Sequence, residues 1–236
     1  MIAQLDRDKW VRAAALDNAE WCDAVCRSHG LTGEFDAAAW TSARRTPPLY
    51  PDAVTLSAHT SAEQLLGQID CTTRGASIKD SFACLDLSRH GFHVLFEAQW
   101  IYRPADHRPP AAPHRWKLVD DPAGLSDWAT AWDPANPKVF RPELLTDDSV
   151  AILGCWDGDL LTAGAIAHLS KNVVGVSNLF HSGIAATDAW AGCLSTIYQL
   201  RPGRDIVGYE QDEDLTAAIH HGCMPVGPLR VWVAAT

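Results

Sequence analysis

Apolar residues recur at helical spacing from Asp6 to His29. Trp10, Ala14, Trp21, Cys22 and Val25 fall near one face, and Gly30 follows where a helix stop is expected. The pattern predicts a second short helix over Glu34 to Arg44. The stretch TPPLYPDA then breaks the period, because its three prolines fix the backbone and remove donors. Ala53 to Ala58 reads as a strand, and Ser61 to Ile69 as a helix capped by Thr60 or Ser61. A helix is expected from Ile78 to His90, ended by Gly91, and Phe92 to Tyr102 (FHVLFEAQWIY) is the strongest strand of the first half. The segment RPADHRPPAAPHR, with Pro104, Pro109, Pro110 and Pro113, marks the expected domain boundary.

The second half is more regular. A short strand over Trp116 to Val119 precedes a helix over Gly124 to Trp132. Val150 to Trp156 and Leu160 to Leu169 read as a hairpin turned at Asp157-Gly158, and Lys171-Asn172 turns the chain into a third strand, Val173 to Leu179. A helix over Thr187 to Leu200 carries Trp190, Leu194, Ile197 and Tyr198 on one face, stopped by Arg201-Pro202-Gly203-Arg204. A strand over Ile206 to Tyr209, a helix over Asp212 to His221 ended by Gly222, and a strand over Met224 to Val233 complete the chain. This order predicts an α+β fold of three domain segments: an N-terminal α/β domain over 1–104, a linker over 105–114, and a sheet domain with helices over 115–236. Arg89-His90-Gly91-Phe92 before Trp100-Ile101 echoes His220-His221-Gly222-Cys223 before Trp232-Val233, so the N-terminal domain reads as a reduced half-copy of the second.

Composition narrows the function classes. Of 236 residues, 47% are hydrophobic and 20% charged, the balance of a folded globular protein. A formal net charge of -10 disfavours a phosphate backbone, so nucleic acid is not the expected partner. The N-terminal MIAQLDRDKW has charges where an export signal needs apolar residues, and no segment approaches a membrane span. With an odd count of 7 cysteines, a reducing, cytoplasmic setting is expected. The oligomeric state is left open.

From Arg115 to Val233 the sequence resembles the GCN5-related N-acetyltransferases, the GNAT family. The resemblance rests on the closing block IVGYEQDEDLTAAIHHGCMPVGPLRVWV, on the hairpin VAILGCWDGDLLTAGAIAHL, and on VVGVSNLFHSGIA in the place of the family's fourth strand and acyl-CoA loop. It implies a mixed, mostly antiparallel sheet flanked by helices, an acetyl-CoA or other acyl-CoA donor, and a small-molecule amine acceptor. Glycines let backbone N–H groups approach a pyrophosphate, and the next helix offers its positive N-terminus. The family loop reads Gln or Arg, two residues, Gly, one residue, then Gly or Ala. Gly183 and Ala185 fit it, whereas its first position is Phe180 and Asp188 sits in the following helical turn. The family's acidic Tyr position is Ala218, and the Asn that opens that helix corresponds to Gln211.

On this resemblance the donor is expected along Leu179, Phe180, His181, Ser182, Gly183 and Ala185, and the chemistry at Ser177, Asn178 and Glu210. Ser177 and Asn178 sit where the family's sheet splays open, and an amide there can orient an acceptor or merely satisfy backbone groups. Glu210 ends the next strand and can act as general base, or as a simple strand-end cap. His181 can meet a phosphate, act as a base, or lie in solvent. Asp212, Glu213 and Asp214 can attract a cation or only cap a helix. His90, His93, His220 and His221 lack metal-ligand company, Cys22 and Cys26 lie one helical turn apart, and Cys193 and Cys223 have no evident activating base. Trp10, Trp21, Trp40, Trp100, Trp190 and Trp232 are expected in the core. Two alternatives stay open: a non-catalytic binding or regulatory module on the same fold, and an acyltransferase using a different donor, such as a carrier-protein thioester.

Overall fold

A computed structural model describes residues 4–235. In chain order its elements are α1 (Gln4–Ser28), β1 (Glu34–Phe35), β2 (Ala39–Thr41), β3 (Ala53–Thr55), α2 (Ala62–Leu66), β4 (Ser77–Asp80) and β5 (Phe92–Arg103). There follow β6 (Trp116–Leu118), α3 (Pro122–Trp132), β7 (Val150–Asp157), β8 (Leu160–Leu169), β9 (Val173–His181), α4 (Ala186–Leu200), β10 (Asp205–Glu210), α5 (Asp212–His220) and β11 (Met224–Ala234). The chain forms two compact units, Met1–Trp100 with Val226–Thr236, and Ile101–Pro225. The Pro-rich stretch 105–114 lies within the second. Among the described residues, no helix is long and apolar enough to cross a membrane.

In the first unit the strands run in the order β1-β2-β3-β4-β11-β5. There β1 with β2, β2 with β3 and β4 with β11 pair antiparallel, and β3 with β4 pairs parallel. Its core gathers Leu65, Ile78, Leu87, Phe92 and Trp232. Helix α1 buries Trp21, Cys22, Val25 and Cys26, and ends as its pattern requires: Gly30 takes φ 70, and its N–H and that of Leu31 bond back to Arg27 and Cys26. Trp21, Trp40, Trp100 and Trp232 are buried as expected, whereas Trp10 is only half-buried, with the Lys9 ammonium 4.2 Å from its ring centroid.

Two expected helices of this unit are not helices. Residues 34–44 form the hairpin β1–β2, because the Asp36 carboxylate accepts the N–H groups of Ala38 and Ala39 at 2.6 and 2.8 Å. That local turn competes successfully with the helix propensity of three alanines. The Trp40 indole then donates to Asp23 at 3.0 Å and packs over Gly33, where a side chain would collide with it. Residues 78–90 begin instead as β4, whose Ile78 pairs with Trp232. Asp80 accepts from Leu85 N–H at 2.7 Å, and Ala83 adopts φ 50 to make the bend. Only Ser88–His90 winds, as a single 3-10 turn before Gly91. Gly91 and Gly222 do share a left-handed conformation, φ 79 and 87, although a full helix precedes only the second.

Asp52 is the buried polar hub of the first unit. Fully buried, it accepts from Thr46 N–H at 3.0 Å, Thr46 Oγ1 at 3.1 Å and Ser77 N–H at 2.9 Å, and pairs with Arg45. Arg45 also donates to the carbonyls of Asp70 and Thr73. Asp52→Ala leaves these donors without their acceptor, and we expect it to cost about 2–4 kcal/mol of unfolding free energy in urea titration.

Candidate active site

The second unit orders its strands β5-β10-β9-β8-β7-β6, antiparallel from β9 to β6 and parallel between β10 and β9. Alternation along β8 sends Ala165 and Ala167 to one face, where Val174, Val176, Trp190, Leu194, Ile197 and Ala218 join them in one core. Gly164 points to the opposite face. Trp128 of α3 fills the space there and donates its indole N–H to Leu153 O at 2.8 Å.

The parallel pair is short. Its register runs from Asp205↔Val173 to Gly208↔Val176 and goes no further. At that last pair a Cβ on residue 208 would lie 2.8 Å from Val176 O, so glycine alone allows the approach. Beyond it, Ser177 and Asn178 on one strand and Tyr209 and Glu210 on the other continue without paired register. On its other side β9 is bulged. Ile166 pairs with Ser177 and Gly164 with Phe180, so Asn178 and Leu179 stand opposite the single residue Ala165. Asn178 carries the turn at φ 55, and Asp212, two residues past Glu210, adopts φ 49. Two of the four non-glycine residues with positive φ among those described thus flank the place where β9 and β10 part.

Glu210 is half-buried at the end of β10. Removal from water pushes its carboxyl up to about 8, and the negative charge of Asp214 adds to the rise. Asp214 lies in the first turn of α5, and its Oδ1 is 3.4 Å from His181 Nε2, at the end of β9. Burial raises Asp214 as well, and the His181 charge opposes that rise. Glu210 also acts on two thiols, Cys193 of α4 and Cys223 ahead of β11. Burial raises both, Cys223 to about 12, so neither is a ready nucleophile.

After β9 the chain turns through Ser182, Gly183 and Ala185, all exposed, with Gly183 at φ 81. Helix α4 opens at Ala185, whose side chain offers no acceptor to the first-turn N–H groups. Asp188 in that turn lies 3.8 Å from His114 Nε2, and Thr187 O lies 2.8 Å from His221 Nε2. The Phe180 ring faces away from this turn. It packs edge-on against Trp128, centroids 5.2 Å apart, and Trp128 packs likewise on Phe140. Phe180 therefore presents only its backbone to this turn. Ala218 is fully buried in the core, so no side chain at that position reaches the cleft. Among the described residues, no group of three or more His, Cys, Asp or Glu is placed to hold a metal ion.

The structure brings Ser177, Asn178, Leu179 and His181 of β9 to one side of the parting strands, with Glu210 ending the other. Ser182, Gly183 and Ala185 form the loop that leads into α4. Sequence reasoning placed Asp214 only in a charged run and gave Gly208 and Trp128 no role. The pairing of His181 with Asp214 joins residues 33 positions apart, and no local spacing announces it.

The parted parallel pair, the bulge and the open helix start fit the fold that the resemblance to the GNAT family implies. Comparison with solved structures agrees. A GCN5-related N-acetyltransferase from Kribbella flavida superposes with a TM-score of 0.62 at 12% identity, over 94% of this chain and 96% of its own. A GNAT-family protein from Novosphingobium aromaticivorans gives 0.56 at 14%, over 94% and 99%. A functionally unknown conserved protein from Staphylococcus epidermidis gives 0.57 at 8%, over 86% and 93%. The chain has the GNAT fold. No family model and no curated protein matches its sequence.

Proposed function

We propose that the protein is an acyltransferase that moves an acyl group, acetyl in the simplest case, from an acyl-CoA thioester to the amine of a small molecule. The observation that carries this reading is the parting of β9 and β10 after Gly208↔Val176, with a left-handed bulge at Asn178 on one side and Glu210 on the other. A pantetheine chain running along β9 would place its pyrophosphate at Gly183, Ala185 and the start of α4, where glycine and an uncapped helix end present N–H groups. Backbone N–H groups of Ser177 to Leu179 would polarise the thioester carbonyl as negative charge develops on its oxygen. The Ser177 hydroxyl and the Asn178 amide would orient the acceptor.

Glu210 would take the proton of the attacking amine. A carboxyl raised to about 8 is a strong enough base for an ammonium acceptor once it is ionised, so turnover should increase as pH rises through that value. The amine nitrogen attacks the carbonyl carbon, the C–N bond forms, and the C–S bond breaks with its electron pair on sulfur. All seven cysteines are free thiols, which fits a reducing cytoplasm, and the net charge of -10 keeps nucleic acid an unfavourable partner. The test is release of free CoA thiol from acetyl-CoA across a panel of primary amines. Amine-dependent release supports the reading, and none with any amine contradicts it.

A further inference from the structure

A thiolate expelled from CoA needs a proton, and residue 218 cannot give it, being an alanine sealed in the core. Accepting the acyl-transfer reading above, we propose that His181, oriented by Asp214, is the acid that protonates the leaving sulfur.

The placement follows from the strand. With the thioester carbonyl at the bulge and the pyrophosphate at the Gly183 loop, the sulfur lies on the loop side of the carbonyl. His181 is on that side of the bulge, two residues beyond Leu179 and so about 7 Å along the strand, a gap that an imidazole side chain can largely close. Its Nε2 lies 3.4 Å from Asp214 Oδ1. A carboxylate at that distance from Nε2 orients the ring, and when the imidazole is protonated Nδ1–H is the group left to donate. When the C–S bond breaks, sulfur takes the electron pair and then the Nδ1 proton, and a neutral imidazole remains with Nε2–H on Asp214. Asp214 also acts electrostatically on Glu210, which has just received the amine proton. Carried by water to Nδ1, that proton recharges His181. The proton lost by the amine is thus the one gained by the thiol, and the cycle balances with no further reactant. The charged and titratable groups around this path are Glu210 on β10, Asp214 and Glu213 on α5, and the thiols of Cys193 and Cys223.

The test varies the leaving group. Wild type, His181→Gln and Asp214→Asn are compared on acetyl-CoA and on S-(4-nitrophenyl) thioacetate, whose thiolate leaves without protonation. His181→Gln should lose about 100-fold in kcat with acetyl-CoA and stay within about threefold of wild type with the aryl thioester. Asp214→Asn, which keeps the imidazole but not its orientation, should show a smaller loss with the same rescue. Equal losses on both donors, or no loss with acetyl-CoA, overturn the proposal while leaving acyl transfer intact. If wild type rejects the aryl thioester, chemical rescue with acetyl-CoA decides. Recovery of His181→Gly turnover on adding imidazole supports the acid, and no recovery overturns it. Wild type inactive on both donors with every amine removes the acyl-transfer reading and the proposal together.

Discussion

Glu210→Gln should abolish acyl transfer while making the protein more resistant to unfolding in alkali. The first effect follows from the proposed role of the carboxylate as proton acceptor, and a loss of about 100-fold or more in kcat/KM is expected. The second follows from linkage. Burial and Asp214 raise the carboxyl to about 8 from an ordinary 4.5, so the folded chain holds this proton more tightly than the unfolded chain. Below pH 4.5 both states are protonated and the substitution is neutral. Between 4.5 and 8 the unfolded state ionises first, and stability falls as pH rises. Above 8 the cost of the buried charge is fully present, and glutamine removes it. Because one pKa unit corresponds to about 1.4 kcal/mol, the variant should gain a few kcal/mol at pH 9. Thermal unfolding at pH 5 and pH 9 checks this. A Tm unchanged at pH 5 and raised at pH 9 is expected, whereas an equal shift at both would separate Glu210 from any ionisation.

Trp128→Ala should produce the largest loss of stability among single changes near the site. The indole is fully buried, donates to Leu153 O, and packs on Phe140 and Phe180. Truncation loses that burial and leaves a cavity against Gly164, with an expected cost of about 3–5 kcal/mol in chemical denaturation. Phe180 follows the bulge by two residues, so the same change loosens β9, the strand proposed to hold the donor. KM for the acyl donor is expected to rise in parallel. A loss below about 1 kcal/mol would mean that the aromatic cluster repacks around the gap.

Much of the second unit was legible because its pattern is dense. The alternation in VAILGCWDGDLLTAGAIAHL fixes a hairpin, turned at Gly158-Asp159, one residue later than the expected Asp157-Gly158, and the apolar face from Trp190 to Ile197 fixes α4. The first unit was less so. DAAAW carries helix-forming alanines, yet one carboxylate at Asp36 captures two backbone N–H groups and folds the stretch as a hairpin. Ile78 pairs across to Trp232, a partner 154 positions away that no local window contains.

The candidate site divides in the same way. Glu210, Asn178 and the Gly183 loop could be found because a strand end and a turn are local events. The side-chain direction of Phe180 could not, since the bulge at Asn178 shifts the alternation by one residue and sends that ring toward Trp128. Asp188 reads in the sequence as repulsion toward an anion at the start of α4. In the structure His114, from the Pro-rich stretch, stands 3.8 Å from it as a counter-charge when protonated.

The central claim is that the parted strands and the loop after them hold an acyl-CoA. Calorimetric titration of the purified protein with acetyl-CoA and with CoA tests it most directly. The account predicts saturable one-to-one binding with a Kd on the order of micromolar, about -8 kcal/mol. Absence of binding at about millimolar ligand, where even -4 kcal/mol would register, contradicts it.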